Sequence, residues 1–146
     1  MRIGAMFTSA DVELVVHATE SLERVMDALD GTLGIGGSML RREVLTGHHG
    51  NEIVLLKGSI TGDDAKHLAD RVIGALSSED ISEICRDIYL YTDDRRSLLY
   101  IRISKQEMVN GRIRLSQSDA VRIRLRLARH GASIEAVRSA LAGADG

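Results

Sequence analysis

The 146-residue sequence contains no proline and no tryptophan, and cysteine occurs once, at Cys85. A single cysteine excludes an intramolecular disulfide. Because Cys85 lies among Ile81, Ile84 and Ile88, we expect a small buried hydrophobe in an intracellular protein. No proline-rich linker, internal repeat or low-complexity tract divides the chain, so the sequence predicts one domain spanning residues 1–146.

Long apolar segments are also missing. The longest aliphatic run covers residues 53–56, which is far too short to cross a bilayer, and the N-terminus has no apolar signal region. We therefore expect a cytoplasmic protein with no membrane partner.

Aromatic rings are scarce, since Phe7, Tyr89, Tyr91 and Tyr100 are the only phenylalanine and tyrosines. Proteins that read single strands usually stack bases on several aromatic side chains. This chain offers only Tyr100, two residues from Arg102, so an RNA partner would be held mostly through its backbone and shape.

Charge is distributed unevenly along the chain. Residues 1–94 carry 8 Lys and Arg against 17 Asp and Glu, whereas residues 95–146 carry 11 against 4. Such asymmetry is typical of a surface for nucleic acid or for an acidic partner. The two halves could instead neutralise each other across the fold, and the counts leave both readings open.

The most regular pattern lies at residues 121–127, Val-Arg-Ile-Arg-Leu-Arg-Leu. Side chains of a strand alternate between faces, so Arg122, Arg124 and Arg126 should stand together, spaced by roughly 6–7 Å. Three neighbouring guanidiniums must be solvated, paired with acids, or bound to a polyanion. Arginine suits phosphate because its planar fork donates two parallel hydrogen bonds.

The periodicity of the whole chain predicts an α+β fold with the order β-α-β-β-α-α-β-β-β-α. We expect a largely antiparallel sheet with helices packed on one face, which leaves the other face free for arginines. The predicted strands cover residues 12–18, 39–46, 52–60, 99–103, 112–115 and 121–127. The predicted helices cover residues 22–33, 65–76, 78–89 and 134–141, with Thr19, Thr61 and Ser133 as candidate N-caps.

The loop Gly47-His48-His49-Gly50-Asn51 is the second candidate for function. Adjacent histidines could ligate a metal or act as acid and base, but neighbouring side chains diverge and no cysteine or carboxylate stands at ligand spacing. We expect an exposed loop that binds anions, and we predict no metal ligand, cofactor or catalytic residue.

Three segments together resemble a known family: residues 16–20 (Val-His-Ala-Thr-Glu), residues 47–53 (Gly-His-His-Gly-Asn-Glu-Ile), and residues 99–125 with their Lys-Gln pair. The chain resembles the archaeal RNA-binding, exosome-associated family of predicted exosome subunits, whose fold is similar to the ribosomal protein that binds the smallest ribosomal RNA. The family often has tyrosine where this chain has His49, and aspartate where it has Ser104. The resemblance implies RNA binding without catalysis, beside RNA-processing proteins.

The leading hypothesis is therefore a non-catalytic RNA-binding protein that contacts phosphates through an arginine-rich sheet face. The alternative is a protein-interaction module whose basic face docks an acidic partner, or the acidic half of a second copy in a homodimer. An enzyme using His48 and His49 ranks last. The predicted RNA contacts are Arg102, Lys105, Arg112, Arg114, Arg122, Arg124, Arg126, His48, His49 and Asn51.

Overall fold

The computed structural model describes residues 3–47, 49–128 and 133–144, and it confirms the α+β prediction. The strands are β1 (Phe7–Val16), β2 (Arg41–Thr46), β3 (Glu52–Thr61), β4 (Thr92–Asp93), β5 (Leu98–Ser104) and β6 (Ala120–Leu127). The helices are α1 (Leu22–Leu33), α2 (Gly62–Ala75), α3 (Ser78–Arg86), α4 (Lys105–Val109) and α5 (Ile134–Ala144).

The six strands form one sheet in the order β2-β3-β1-β6-β5-β4, and every neighbouring pair is antiparallel. Strand β6, which carries the alternating arginines, therefore lies inside the sheet between β1 and β5. Both neighbours hold it through long ladders, so its side chains have fixed directions.

One face of the sheet packs against the helices. Strands β1, β5 and β6 alternate between buried and more exposed residues, and their buried members share one hydrophobic core with the apolar sides of the helices. Helix α2 packs against β1 in this core. Cys85 is only partly buried against this core, with its thiol 3.8 Å from the carbonyl oxygen of Arg138. No described helix combines the length and the apolar character needed to cross a membrane.

The three residues predicted as helix N-caps differ in how they compare with the structure. Ser133 caps α5 through its hydroxyl, which accepts from the N–H of Ala136 at 3.1 Å, as expected. Thr61 is the N-cap residue of α2 but makes no side-chain capping bond. Thr19 does not cap α1, because β1 ends at Val16 and the chain turns before Ser21, whose hydroxyl accepts from Arg24.

The predicted strand at residues 112–115 is wrong. Ile113 is buried as expected, but the segment makes only an isolated bridge, between Leu115 and Ile103. Its backbone bonds to β5 are limited to Ser104 N–H with Arg114 O and Ser116 N–H with Arg102 O, which are too few to form a strand. The N–H of Leu115 points away from β5 and donates to the Asp80 carboxylate of α3 at 3.1 Å. The short alternation therefore reflects one buried side chain, Ile113.

Candidate nucleic-acid interface

The alternation of β6 separates its side chains as the sequence predicted. Val121, Ile123 and Leu125 are buried under the helices, whereas Arg122 and Arg126 are exposed and Arg124 is half-buried on the opposite face. Arg102 of β5 lies directly opposite Arg122 and is exposed on the same face. We call Arg102, Arg122, Arg124 and Arg126 the arginine face.

Two of these guanidiniums are directly opposed. Arg102 and Arg122 are cross-strand partners, and Cβ atoms of such partners lie about 4.5–5.5 Å apart. Like charges in this position destabilise a sheet. Folding alone therefore gives no reason for the pair, whereas an anion bound between them would remove the repulsion.

Acidic side chains from β1 lie beside the arginine face without pairing with it. Glu13 is opposite Arg122 and Asp11 is opposite Arg124. Asp11 accepts a hydrogen bond from the Ser59 hydroxyl at 2.6 Å. Within the described parts of the chain, no carboxylate lies within 4.0 Å of a guanidinium nitrogen of the arginine face. The acids lower the local potential but form no ion pair with these guanidiniums, and Arg126 uses one donor on the Arg96 carbonyl oxygen at 3.3 Å.

The same row of the sheet carries further cations that sequence reasoning missed. Lys57 of β3 lies opposite Glu13, and Arg41 of β2 lies opposite Lys57. The row thus reads Arg41, Lys57, Glu13, Arg122, Arg102 across five strands. Only the pairing register brings these residues together, since Arg41 and Arg122 are far apart in the sequence.

Three depressions meet at Arg102. The largest, about 490 Å³, lies between Arg102 and α3. Two smaller ones, about 240 and 160 Å³, lie along the row that contains Glu13 and Arg122. The arginine face is therefore a grooved surface, and Arg102 stands at the junction of its grooves.

Lys105 does not belong to the arginine face, and the structure corrects that prediction. Its side chain is 1% exposed. The ammonium lies 2.6 Å from a Glu20 carboxylate oxygen, 2.9 Å from an Asp119 carboxylate oxygen, and 2.6 Å from the Val15 carbonyl oxygen. All three of its donors are used inside the protein, so Lys105 has none left for a phosphate.

His17 completes this cluster at the end of β1. Its Nε2 lies 3.6 Å from Asp119. Burial alone would raise the pKa of Asp119, but the hydrogen bond and charge of Lys105, with His17, outweigh it and lower that pKa. His17, Glu20 and Asp119 present ligand atoms within 4.8 Å of one another, a spacing that could suit a cation. The ammonium of Lys105 already supplies positive charge there.

The prediction that Arg112 and Arg114 share a strand face with the other arginines is also wrong. Both line a separate depression of about 590 Å³ with Arg71, beside the ends of α1 and α2. The Nε atom of Arg112 is 3.4 Å from Glu107 of α4, so this guanidinium is partly neutralised. The segment that carries Arg112 and Arg114 follows α4 and lies beside the helices. These two arginines are therefore away from the open face of the sheet.

The loop at residues 47–51 joins β2 to β3 at one edge of the sheet, where Gly50 adopts φ +80°. His49 and Asn51 are exposed there, and His48 is outside the described residues. The basic row crosses β2 and β3 at Arg41 and Lys57, whereas the loop follows Thr46 at the other end of this ladder. Because β1 also separates β3 from β6, the loop lies away from both the basic row and the arginine face.

The domain leaves one sheet face open and places on it guanidiniums that have no carboxylate partner among the described residues, an arrangement that suits an anionic partner. Residues 9–127 match the family model described as RNA binding. Since the match covers most of the chain, the protein belongs to this RNA-binding family, which supports a binding role rather than a catalytic one.

Similar proteins come from archaea. An uncharacterised protein of Methanocaldococcus jannaschii is 26% identical over 116 residues, which are 75% of this chain and 76% of that protein. The solved structure of a DUF54 protein from Methanothermobacter thermautotrophicus has a TM-score of 0.74 at 21% identity, covering 97% of this chain and 99% of that one. A DUF54 protein from Sulfolobus solfataricus gives 0.73 at 17%, covering 92% and 98%. These two likenesses concern the fold.

Proposed function

We propose that the protein binds RNA without catalysis and holds its phosphates on the arginine face. The observation that carries the proposal is the directly opposed pair Arg102 and Arg122, both exposed, with no carboxylate of the described residues in ion-pair contact. Because the protein belongs to the RNA-binding family, we expect the bound polyanion to be RNA.

The geometry suits a backbone more than a single small anion. Successive guanidiniums of β6 are two residues apart, roughly 6–7 Å along the strand, which is near the spacing of phosphates along one nucleic-acid strand. Phosphate contacts of this kind position a strand without reading its sequence. Arg41 and Lys57 lie in the cross-strand row that meets β6 at Arg122, so they would add phosphate contacts to one side of this line.

Several finer predictions stay within this proposal. The sequence resemblance implies work beside RNA-processing proteins such as the exosome and a ribosomal-protein-like fold, and the cytoplasmic location stays a prediction from the composition of the chain. Contact with RNA also stays a prediction for Arg112, Arg114, His49 and Asn51, which lie off the arginine face, and for His48. Lys105 is removed from the set because it is buried and paired.

The first test replaces Arg122, Arg124 and Arg126 together with glutamine. Each phosphate contact releases counterions, so log K falls by about 0.7 to 0.9 per unit of log[salt] for every phosphate neutralised. We expect the triple variant to bind single-stranded RNA more weakly, with a salt slope reduced by about 2. Fluorescence anisotropy titrations at several salt concentrations measure both quantities.

The matched control replaces Arg24, Arg42 and Arg138 with glutamine, which removes the same charge away from the arginine face and from the depression that Arg112 and Arg114 line. Its salt slope should stay within experimental error of the unmodified protein. Equal losses in the two triple variants would show that net charge, and not this face, binds RNA. A flat salt dependence of the unmodified protein would refute phosphate binding altogether.

A second candidate function is docking of an acidic protein, including a second copy of this chain. It is favoured by the edge strand β2, whose Val44 and Leu45 are 61% and 41% exposed. An open edge with apolar side chains can pair with another chain. The basic row reaches this edge at Arg41, so charge and apolar contact could act together.

A further inference from the structure

The largest depression at Arg102 is a cleft with walls from separate parts of the chain. Tyr100 and Arg102 come from β5, Arg86 comes from α3, Tyr91 follows a short 3-10 turn, and Gln117 belongs to the segment before β6. Its volume of about 490 Å³ falls within the range of small-molecule sites, roughly 300–1,000 Å³.

The walls are fixed to one another by backbone and side-chain bonds. The N–H of Tyr100 donates to the carbonyl oxygen of Tyr91 at 2.7 Å. The N–H of Ser116 donates to the carbonyl oxygen of Arg102 at 3.0 Å. The Tyr91 hydroxyl donates to Glu83 of α3. Burial, followed by this hydrogen bond, raises the pKa of Tyr91 to about 12, so the phenol stays protonated at neutral pH. The cleft is therefore formed in advance of any ligand.

The lining combines flat apolar surface with polar groups that have spare capacity. Tyr91 and Tyr100 are both half-buried, and Leu90 at the rim is 81% exposed, which folding does not require. Gln117 is exposed on the same side and makes no side-chain hydrogen bond to any residue that the structure describes. A ligand that is flat, apolar on its faces and polar at its edge fits this lining.

We infer that the cleft receives one unpaired nucleobase of the RNA strand whose phosphates lie on the arginine face. The inference rests on the proposed function and names its substrate class as single-stranded RNA. Arg102 lines both the cleft and the grooves of the arginine face, so a nucleotide there would have its phosphate on Arg102 and its base against the tyrosines. A base in a duplex is stacked and paired, and it could not enter.

The test compares two strands of about 12 nucleotides, a length near the site sizes of single-strand binders. One is single-stranded oligouridylate, and the other has the same phosphates with every base replaced by an abasic site. Stacking on an aromatic side chain changes affinity by about 5- to 150-fold per base, so the unmodified protein should prefer the base-bearing strand by that factor. Tyr100→Leu should abolish most of this preference and leave binding of the abasic strand unchanged.

Two further variants keep the test decisive. Leu90→Ala changes an exposed rim position that cannot affect folding, and it should reduce the preference by a smaller factor. Tyr89→Leu is the matched control, because this tyrosine lies outside the cleft and donates instead to Glu135 of α5 at 2.9 Å. It should keep the full preference.

The outcomes separate this inference from the function on which it rests. Equal affinity for the two strands, with a steep salt slope, would overturn the nucleobase cleft and leave phosphate binding intact. A preference that survives both Tyr100→Leu and Leu90→Ala would overturn it as well. Failure to bind either strand would overturn both proposals, and tighter binding to duplex than to single strand would exclude base entry.

Discussion

Lys105 shows how a single residue can be assigned to the wrong task from sequence. Its position after a strand of the basic half favours a surface cation, yet it is buried against Glu20 and Asp119. Asp119 itself has φ 48°, an uncommon conformation that points its carboxylate into this cluster. Glu20 and Lys105 are 85 residues apart, so no local pattern could have indicated their contact.

Replacing Lys105 with methionine should destabilise the fold and spare RNA binding. The change removes the ammonium from two carboxylates and a carbonyl oxygen, and Glu20 keeps only the N–H of His17 at 2.9 Å on the shared oxygen. Removing one partner of a buried ion pair costs about 3–5 kcal/mol. Because Asp119 is 41% exposed, we expect the lower end, about 3 kcal/mol. Urea unfolding measures the loss.

Lys57→Met is the control for this prediction, since Lys57 lies on the exposed sheet face. Its free energy of unfolding should change by less than about 0.5 kcal/mol, while its RNA affinity should fall. If Lys105→Met reduced the salt slope of RNA binding at unchanged stability, Lys105 would be a phosphate ligand after all.

At the scale of elements, an alternating pattern predicted a strand correctly where it extended over many residues. Eight residues of β6 alternate, and the period of two alone places Arg122, Arg124 and Arg126 on one face. The same alternation over residues 112–115 was too short to distinguish a strand from an irregular segment. The neighbours of β6 were beyond sequence reasoning, because pairing of β1 with β6 joins opposite ends of the chain.

The close contact between Gly58 of β3 and the turn that precedes β2 offers a test of how these elements pack. A side chain at Gly58 would meet the backbone carbonyl oxygen of Met39, in the short 3-10 turn at Gly37–Met39. Gly58→Ala should therefore lower the free energy of unfolding by about 1–3 kcal/mol, because backbone must shift to admit the methyl group. Chemical denaturation monitored by circular dichroism measures this change.

Gly74 in α2 provides the opposite case, since a Cβ there would meet nothing within 4 Å. Gly74→Ala should raise the free energy of unfolding by about 0.5–1 kcal/mol, because alanine favours the helix. Equal effects of the two substitutions would mean that the close contact at Gly58 does not constrain the chain.

At the scale of the whole molecule, average charge and local charge have opposite signs. The chain is net −2, with a sequence pI near 6.2, yet its sheet face concentrates arginine. Charge counts along the sequence showed that the two halves of the chain differ in charge. They did not show whether the acids of one half pair with the arginines of the other. Asp11 and Glu13 of β1 lie opposite arginines of this face, and Glu83 and Asp87 line the cleft that Arg102 borders. Among the described residues, none of these acids forms an ion pair with the arginine face.

Chromatography should expose this local patch. A protein of net negative charge should pass a weak cation exchanger at pH 7 but remain on immobilised RNA or heparin, because a local patch and not the average charge binds a polyanion. The triple arginine variant should elute from heparin at clearly lower salt than the unmodified protein. Passage through both RNA and heparin columns, together with capture by an acidic protein, would favour docking of a protein partner.

The segregation of the sheet into a helix-covered side and an open side carries an evolutionary consequence. Substitutions among the outward residues of β5 and β6 leave the apolar layer beneath them untouched. The outward side chains can thus change by small steps while the scaffold stays the same, which makes such a domain a ready starting point for new binding surfaces.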